Sequence, residues 1–418
     1  MRRLLLALAV TALAATPLFA QPKDFFFQPN DRIVFLGDSI TEQYQYSTYL
    51  ELYLTTRFPK GDFVFLNAGI GGDTANGGAS RFQLHVLDDK PTAVTINFGM
   101  NDAGYQEFKE PANKVYREKT EAMLKMAKDA KVRVAVCSPN AVDPRVSPGF
   151  SDFKRYLETQ KQFYAPLKEV AEKNGASFAD QYAVTRTAIE AMTKDDPKAA
   201  KAKPYYDGFH TAPPGGLLMA HAILTQLKAP AVVSHAHVVA AGKPPQPEDK
   251  GCKVEVTDRG EGGVTFTRTD DALPLPVQKD WVPMLPYTNE LKDLNFYGLT
   301  VLGLKDGSYD VSIDGVKVGA FTAKELAAGV NLGNATSGPV FDHAQKVFEA
   351  INAKNNLVRS RFFDVLRYNP PGWVKVDNLN EQKKAEAAKR LPAIEAAQKK
   401  VFELAQPKPH KWEVKAAK

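Results

Sequence analysis

Cysteine is nearly absent. Cys137 and Cys252 are the only two in 418 residues, which excludes a disulfide-stapled scaffold and a multi-cysteine zinc site. The seven histidines are scattered without a His-x-x-x-His pair, so a protein-only metal cage lacks ligands at helical spacing. No internal repeat is present, and after the first twenty residues no apolar run is long enough to span a bilayer. The composition that is there, 44% hydrophobic and 24% charged with 28 each of Gly and Pro, belongs to a globular chain rather than a disordered, collagenous or coiled-coil one. Its length implies two or three domains.

The net charge of +6 is uneven. Lys375 to Lys418 holds eleven Lys/Arg against six Asp/Glu, and the rest is near neutral. Along Glu381, Lys383, Lys384, Glu386, Lys389 and Arg390 the charges alternate in sign. That is the pattern of a solvated helix face, not of a nucleic-acid-binding tail.

Residues 1–20 read Met-Arg-Arg, then an uncharged apolar stretch from Leu4 to Ala20 broken by Pro17. This is the layout of a secretory signal peptide cut near Ala20. The mature chain is therefore expected to be exported to the periplasm or the extracellular space, without stable membrane insertion. An oxidising compartment would let the two cysteines pair. The place of Cys137 at the end of the apolar run 132–136 favours a buried strand residue instead.

Short apolar runs at 32–36, 63–66, 93–98, 132–136 and 176–179 read as buried strands. Helical patterns at 47–58, 116–131, 153–174 and 215–227 alternate with them. This implies an α/β fold with a parallel sheet covered on both faces, a three-layer α/β/α domain over 24–229. After Pro230 the texture changes. Lys243-Pro-Pro-Gln-Pro247 reads as a linker, and the alternating segments 253–257, 264–267 and 309–313 form a small antiparallel β module over 243–334. Asp314-Gly315 marks a hairpin within it. Helical patterns at 340–351 and 378–405 make 338–418 a C-terminal helical region, which covers the same chain or else packs on a partner.

The chemistry-bearing residues follow the strands. Gly37-Asp38-Ser39-Ile40-Thr41 comes after the first, Asn67-Ala-Gly69-Ile-Gly71-Gly72-Asp73-Thr74 after the second and Gly99-Met100-Asn101-Asp102 after the third. Asp207-Gly-Phe-His210 precedes the last helix of this part. In an open α/β sheet, ligands bind beyond the carboxyl ends of the strands. The four blocks, in this order and over about residues 31–228, resemble the signature blocks of the SGNH/GDSL family of serine esterases and lipases.

The resemblance implies Ser39 as nucleophile, His210 as general base and Asp207 as the carboxylate orienting it. It implies an oxyanion hole from Ser39, Gly72 and Asn101, with no metal or cofactor. The set is chemically coherent: serine needs a neutral imidazole to take its proton, the imidazole needs its tautomer fixed, and the tetrahedral intermediate needs donors for its new charge. Asp38, Asp73 and Asp102 are read as loop-holding carboxylates, and Glu42 as a solvated helix start. His221 is read as structural, and no role falls to His85, His235, His237, His343 or His410.

The expected activity is hydrolysis of a carboxylic ester through an acyl-enzyme, with a small acyl group on a carbohydrate or similar polar alcohol favoured. A lipase, lysophospholipase or thioesterase activity is the alternative within the class. Outside it stands a non-catalytic carbohydrate- or protein-binding module on a hydrolase scaffold. Trp281, Tyr287 and Tyr297 are candidates for stacking on sugars if not part of the core.

Overall fold

The structure is a computed structural model that describes residues 24–147, 149–260 and 262–417. The signal-peptide reading lies outside the described residues. Strands β1 (Arg32–Gly37), β2 (Val64–Gly69), β3 (Ala93–Asn97), β4 (Arg133–Cys137) and β5 (Ser177–Ala179) form one sheet in the order β2-β1-β3-β4-β5. Every pairing is parallel. All five residues of β3 are buried, as expected of a central strand covered on both faces. The chain steps to one side of β1 to make β2 and to the other to make β3, so a crevice opens between the carboxyl ends of β1 and β3. That topology brings the loops of Ser39 and Asn101 to one place.

Among the described residues, eight helices flank this sheet: α1 (Ser39–Glu42), α2 (Gln45–Arg57), α3 (Ala75–His85), α4 (Glu110–Asp129), α5 (Phe153–Tyr164), α6 (Leu167–Lys173), α7 (Gln181–Asp195) and α8 (Pro213–Gln226). Two differ from the sequence reading at a proline. Helix α4 begins six residues earlier than its apolar pattern because Pro111 occupies its first turn, where a missing N–H costs nothing. The pattern 153–174 is split into α5 and α6 at Pro166, which cannot donate to the preceding turn. Helix α3 does not stand out in the sequence, since its Gly77-Gly78 reads as a turn. Those glycines have a packing reason: a Cβ on Gly78 would lie 2.4 Å from the Phe98 ring.

The C-terminal half builds two sheets. Strands β6 (Val232–Val239), β7 (Cys252–Gly260), β8 (Gly263–Asp270), β9 (Phe296–Leu302), β10 (Ser308–Ile313) and β11 (Val316–Thr322) precede helix α9 (Ala323–Ala328) and strand β12 (Val330–Asn331). Helices α10 (Pro339–Arg361) and α11 (Leu379–Leu404) and strand β13 (His410–Ala416) complete the chain. The larger sheet, ordered β11-β10-β13-β8-β7, is antiparallel throughout. In the smaller one, β12-β9-β6, strands β6 and β9 run parallel. Asp314 and Gly315 both have positive φ, 48° and 81°, the conformation of the tight hairpin turn that joins β10 to β11. The end of the chain is not helical. His410–Ala416 inserts between β8 and β10 because Trp412 and Val414 point into the core of that sheet, both 0% exposed.

Helices α10 and α11 cover the half of the chain built on the parallel sheet. Ala344, Val347 and Ile351 share one apolar core with α2 and the parallel sheet. For that reason α2 is buried on almost every side, although its sequence shows only one apolar stripe. The alternating charges on α11 pair locally or with the domain beneath, as Lys384 does with Glu381 and Asp88. Both cysteines are free thiols, and Cys137 is buried on β4. Among the described residues, no helix is long and apolar enough to cross a membrane.

Candidate active site

Strand β1 ends at Gly37, where a Cβ would lie 2.2 Å from Thr41 Oγ1 and 2.6 Å from the Asn97 carbonyl. Only glycine allows this sharp exit from the sheet. Asp38 then caps α1, its Oδ1 accepting from the Ile40 N–H at 2.9 Å. Ser39 is thus the first helical residue rather than the cap. Its N–H belongs to the unsatisfied first turn of a helix.

The Ser39 hydroxyl meets His210. Nε2 of His210 lies 2.8 Å from Ser39 Oγ, and Nδ1 lies 2.7 Å from Asp207 Oδ2. A carboxylate can only accept, so Nδ1 carries the proton and Nε2 presents its lone pair to the serine. Asp207 Oδ1 also accepts from the His210 backbone N–H at 2.9 Å, which fixes carboxylate and imidazole on one turn. The loop is anchored from beneath: the Gly208 carbonyl accepts from the Asp143 N–H at 2.7 Å and the Phe209 carbonyl from Asn140 Nδ2 at 3.2 Å. Asp143 is itself held by Arg145 in a buried ion pair at 2.7 Å. The Tyr206 ring stacks on the imidazole, centroids 5.7 Å apart, and Phe209 packs at 4.2 Å.

Gly72 has φ 76°, a conformation that favours glycine, and a Cβ there would meet nothing within 4 Å. No side chain at this position narrows the approach to its backbone N–H. Among the described residues neither this N–H nor that of Ser39 meets a protein acceptor. Asn101 Nδ2 donates to the Asp73 carbonyl at 2.9 Å. A primary amide has two N–H bonds; one is spent orienting the plane, and the other remains to donate.

The acidic residues around the site hold loops. Asp73 Oδ1 accepts from the Thr74 N–H at 2.9 Å, and Asp102 Oδ1 accepts from the Ala75 N–H at 3.0 Å. Burial pushes the Asp38 and Asp102 carboxyls up to about 7, each raised further by neighbouring carboxylates. Glu42 is not a solvated helix start. Its Oε2 accepts from the Gly71 N–H and lies 3.4 Å from Arg367 Nη1, so the glycine loop is tied to α1 and, through Arg367, to the C-terminal half.

Two supporting residues carry no motif in the sequence. Arg81 on α3 donates to the Gly37 and Ala68 carbonyls at 3.1 and 2.7 Å and to Asp73 Oδ2 at 2.8 Å, clamping the ends of β1 and β2 together. Gln43 Oε1 accepts from both the N–H and the hydroxyl of Thr211, at 3.2 and 3.1 Å, and its Nε2 donates to the Tyr206 hydroxyl at 3.2 Å. Each acts across a distance in sequence that no local spacing marks. His221 is structural, Nε2 lying 2.9 Å from Asp293 Oδ1, and His85 contacts the Leu366 carbonyl at 3.1 Å. Trp281 and Tyr297 are core residues, 0% and 2% exposed, so neither offers a face to a sugar; the Tyr287 hydroxyl donates to Asp195 at 3.0 Å.

Residues 35–215 match the GDSL-like Lipase/Acylhydrolase family. The chain carries an SGNH/GDSL-type hydrolase domain. It is 25% identical over 224 residues to an acetylxylan esterase from Geobacillus stearothermophilus, covering 47% of this chain and 94% of that protein. A solved structure of an acetylxylan esterase from the same organism aligns with 49% of this chain and 96% of its own at 22% identity and a TM-score of 0.40. A gut microbial diltiazem-metabolizing enzyme aligns over 94% of this chain and 98% of its own, with a TM-score of 0.79 at 23% identity. The hydrolase domain and its C-terminal half thus occur together in another fold of nearly the same extent.

Proposed function

We propose that this chain is an exported carboxylic ester hydrolase that removes a small acyl group from a carbohydrate through an acyl-enzyme. The reading is carried by the continuous hydrogen-bonded chain from Ser39 Oγ through His210 to Asp207, 2.8 and 2.7 Å. The acetylxylan esterase relative supports the acetyl group and the sugar. The Arg2-Arg3 and apolar leader supports export.

In this reading the Ser39 oxygen attacks the ester carbonyl as its proton passes to His210 Nε2. The carbonyl π electrons move onto oxygen, and the resulting oxyanion is met by the N–H groups of Ser39 and Gly72 and by Asn101 Nδ2. Collapse breaks the bond to the alcohol oxygen, which takes the proton back from His210. Water then repeats the sequence: its proton goes to Nε2, its oxygen bonds the acyl carbon, and Ser39 leaves protonated. Asp207 keeps the imidazole in the required tautomer and stabilises the imidazolium formed in each half.

Hydrolysis of p-nitrophenyl acetate and of longer acyl esters, measured beside Ser39→Ala, tests this. Activity on the acetyl ester should fall by at least four orders of magnitude in the variant and decline with acyl length in the parent. Equal rates in the two proteins would remove Ser39 from the mechanism.

A further inference from the structure

Beside the triad lies a recess of about 270 Å³ whose walls come from both halves of the chain, near the lower end of the size range of small-ligand pockets. Gln43, Tyr44 and Gln45 contribute from the hydrolase side, and Gln278, Asp280 and Asn352 from the C-terminal side. We propose that this recess is the subsite for a sugar ring, the alcohol side of the ester, and that it presents the acyl group to Ser39. The proposal rests on the hydrolase reading above and adds to it where the substrate is held and by which half of the molecule.

Position comes first. The Gln43 N–H donates to the Ser39 carbonyl at 3.0 Å, so the recess begins one helical turn, about 6 Å, from the nucleophile. The Gln43 side chain reaches Thr211, next to His210. The recess and the loop that carries His210 therefore share Gln43 as a common wall.

Chemistry comes second. The lining contains no Lys or Arg to pair with a phosphate or carboxylate, and no Leu, Ile, Val or Met to receive an acyl tail. Beside Thr48 and Pro213 it is made of carboxamides, one carboxylate and aromatic rings, the groups that hydrogen-bond hydroxyls and pack on the C–H face of a pyranose. Both N–H bonds of the Gln278 amide are used, on the Pro276 carbonyl at 2.7 Å and on Gln345 at 2.8 Å, which leaves its oxygen to accept. Gln45 Oε1 takes the Tyr49 hydroxyl at 3.2 Å, which leaves its nitrogen to donate. Sugar hydroxyls do both.

One feature of Tyr44 points to a ligand as well. It holds φ 62° between α1 and α2, an uncommon conformation for a bulky residue. Its hydroxyl is shielded from solvent, so what Tyr44 offers the recess is ring surface rather than a hydrogen bond. Tyr44 and Phe348 are half-buried and supply ring surface, while the buried Trp281 packs edge-on against Tyr49 behind them, centroids 4.6 Å apart. Gln278, Asp280, Phe348 and Asn352 all lie outside the matched 35–215 segment. The C-terminal half thereby sets what the hydrolase domain acts upon.

The test is direct binding, so that it does not depend on turnover. Xylobiose is titrated by calorimetry into full-length Ser39→Ala and into the same protein carrying Asp280→Ala and Asn352→Ala. Saturable binding is expected, weakened at least tenfold by the two pocket substitutions, with an unchanged melting temperature showing that these exposed positions leave the fold intact. No saturable binding at millimolar sugar, or binding indifferent to the substitutions, would overturn the subsite. Ser39-dependent hydrolysis of p-nitrophenyl acetate without sugar binding would defeat the subsite alone. Sugar binding without such hydrolysis would leave a sugar-binding recess but defeat the hydrolase reading and, with it, the recess's role in presenting an ester.

Discussion

Lys354 Nζ on α10 lies 2.8 Å from the Glu51 carboxylate on α2, and both side chains are at most 2% exposed. The same ammonium donates to Asn355 Oδ1 at 2.7 Å, and Asn355 Nδ2 donates to Thr48 at 3.1 Å. A buried charge pair therefore sits where the C-terminal half covers the helix that follows the Ser39 turn. Burial pushes the Lys354 ammonium down and the Glu51 carboxyl up, and each opposes the shift in the other.

Removing one partner leaves the other buried and uncompensated, at a cost of about 3–5 kcal/mol, whereas replacing both by apolar groups is often neutral. Lys354→Met alone should lower the unfolding midpoint sharply. Lys354→Met with Glu51→Leu should recover most of the loss. Urea unfolding followed by fluorescence reads this out, and an additive double variant would show that the two side chains do not act as a pair.

Asn101 is expected to act in the transition state only. One of its amide N–H bonds is committed to the Asp73 carbonyl, so the side chain is oriented before substrate arrives. Asn101→Ala should lower kcat on p-nitrophenyl acetate by about 10²–10³-fold with KM little changed, as loss of one oxyanion donor does. A rise in KM at constant kcat would instead assign Asn101 to ground-state binding.

The parallel sheet and the Ser39, Asp207 and His210 cluster are legible because each depends on local pattern: short apolar runs closed by Gly-Asp or Gly-Met-Asn, and a spacing of three from Asp207 to His210. What escaped depends on contacts distant in sequence. Arg81 serves carbonyls 13 and 44 positions away, and Glu42 is taken up by Gly71, 29 positions on. Strand β13 was lost in a tail whose charge suggested a helix, because pairing with β8 and β10 decides its conformation rather than propensity. Whether Trp281 is core or a surface for sugars stays open in the sequence, because Tyr49 and Phe348, which close over it, are distant along the chain.

Asp38 gives the fold a dependence on pH with a defined sign. In the unfolded chain its carboxyl titrates near 3.8; in the folded protein burial, followed by the charges of Asp102 and Asp73, pushes it up to about 7. Below pH 3.8 both states hold the proton and the full stability is present. Between about pH 4 and 7 the unfolded state ionises while the folded state keeps its proton, so stability falls as pH rises. Above 7 the penalty levels off, on the order of 4 kcal/mol. Asp38→Asn retains an oxygen to accept from the Ile40 N–H, and Asn is as good an N-cap as Asp, but it does not titrate. Melting temperatures of parent and variant should therefore nearly coincide at pH 4 and diverge in favour of the variant up to pH 8. Comparing the two at each pH cancels the titrating groups that do not interact with Asp38. A gap that stays flat or closes with rising pH would mean that Asp38 is ionised in the folded protein throughout, and that the turn before Ser39 carries a full negative charge.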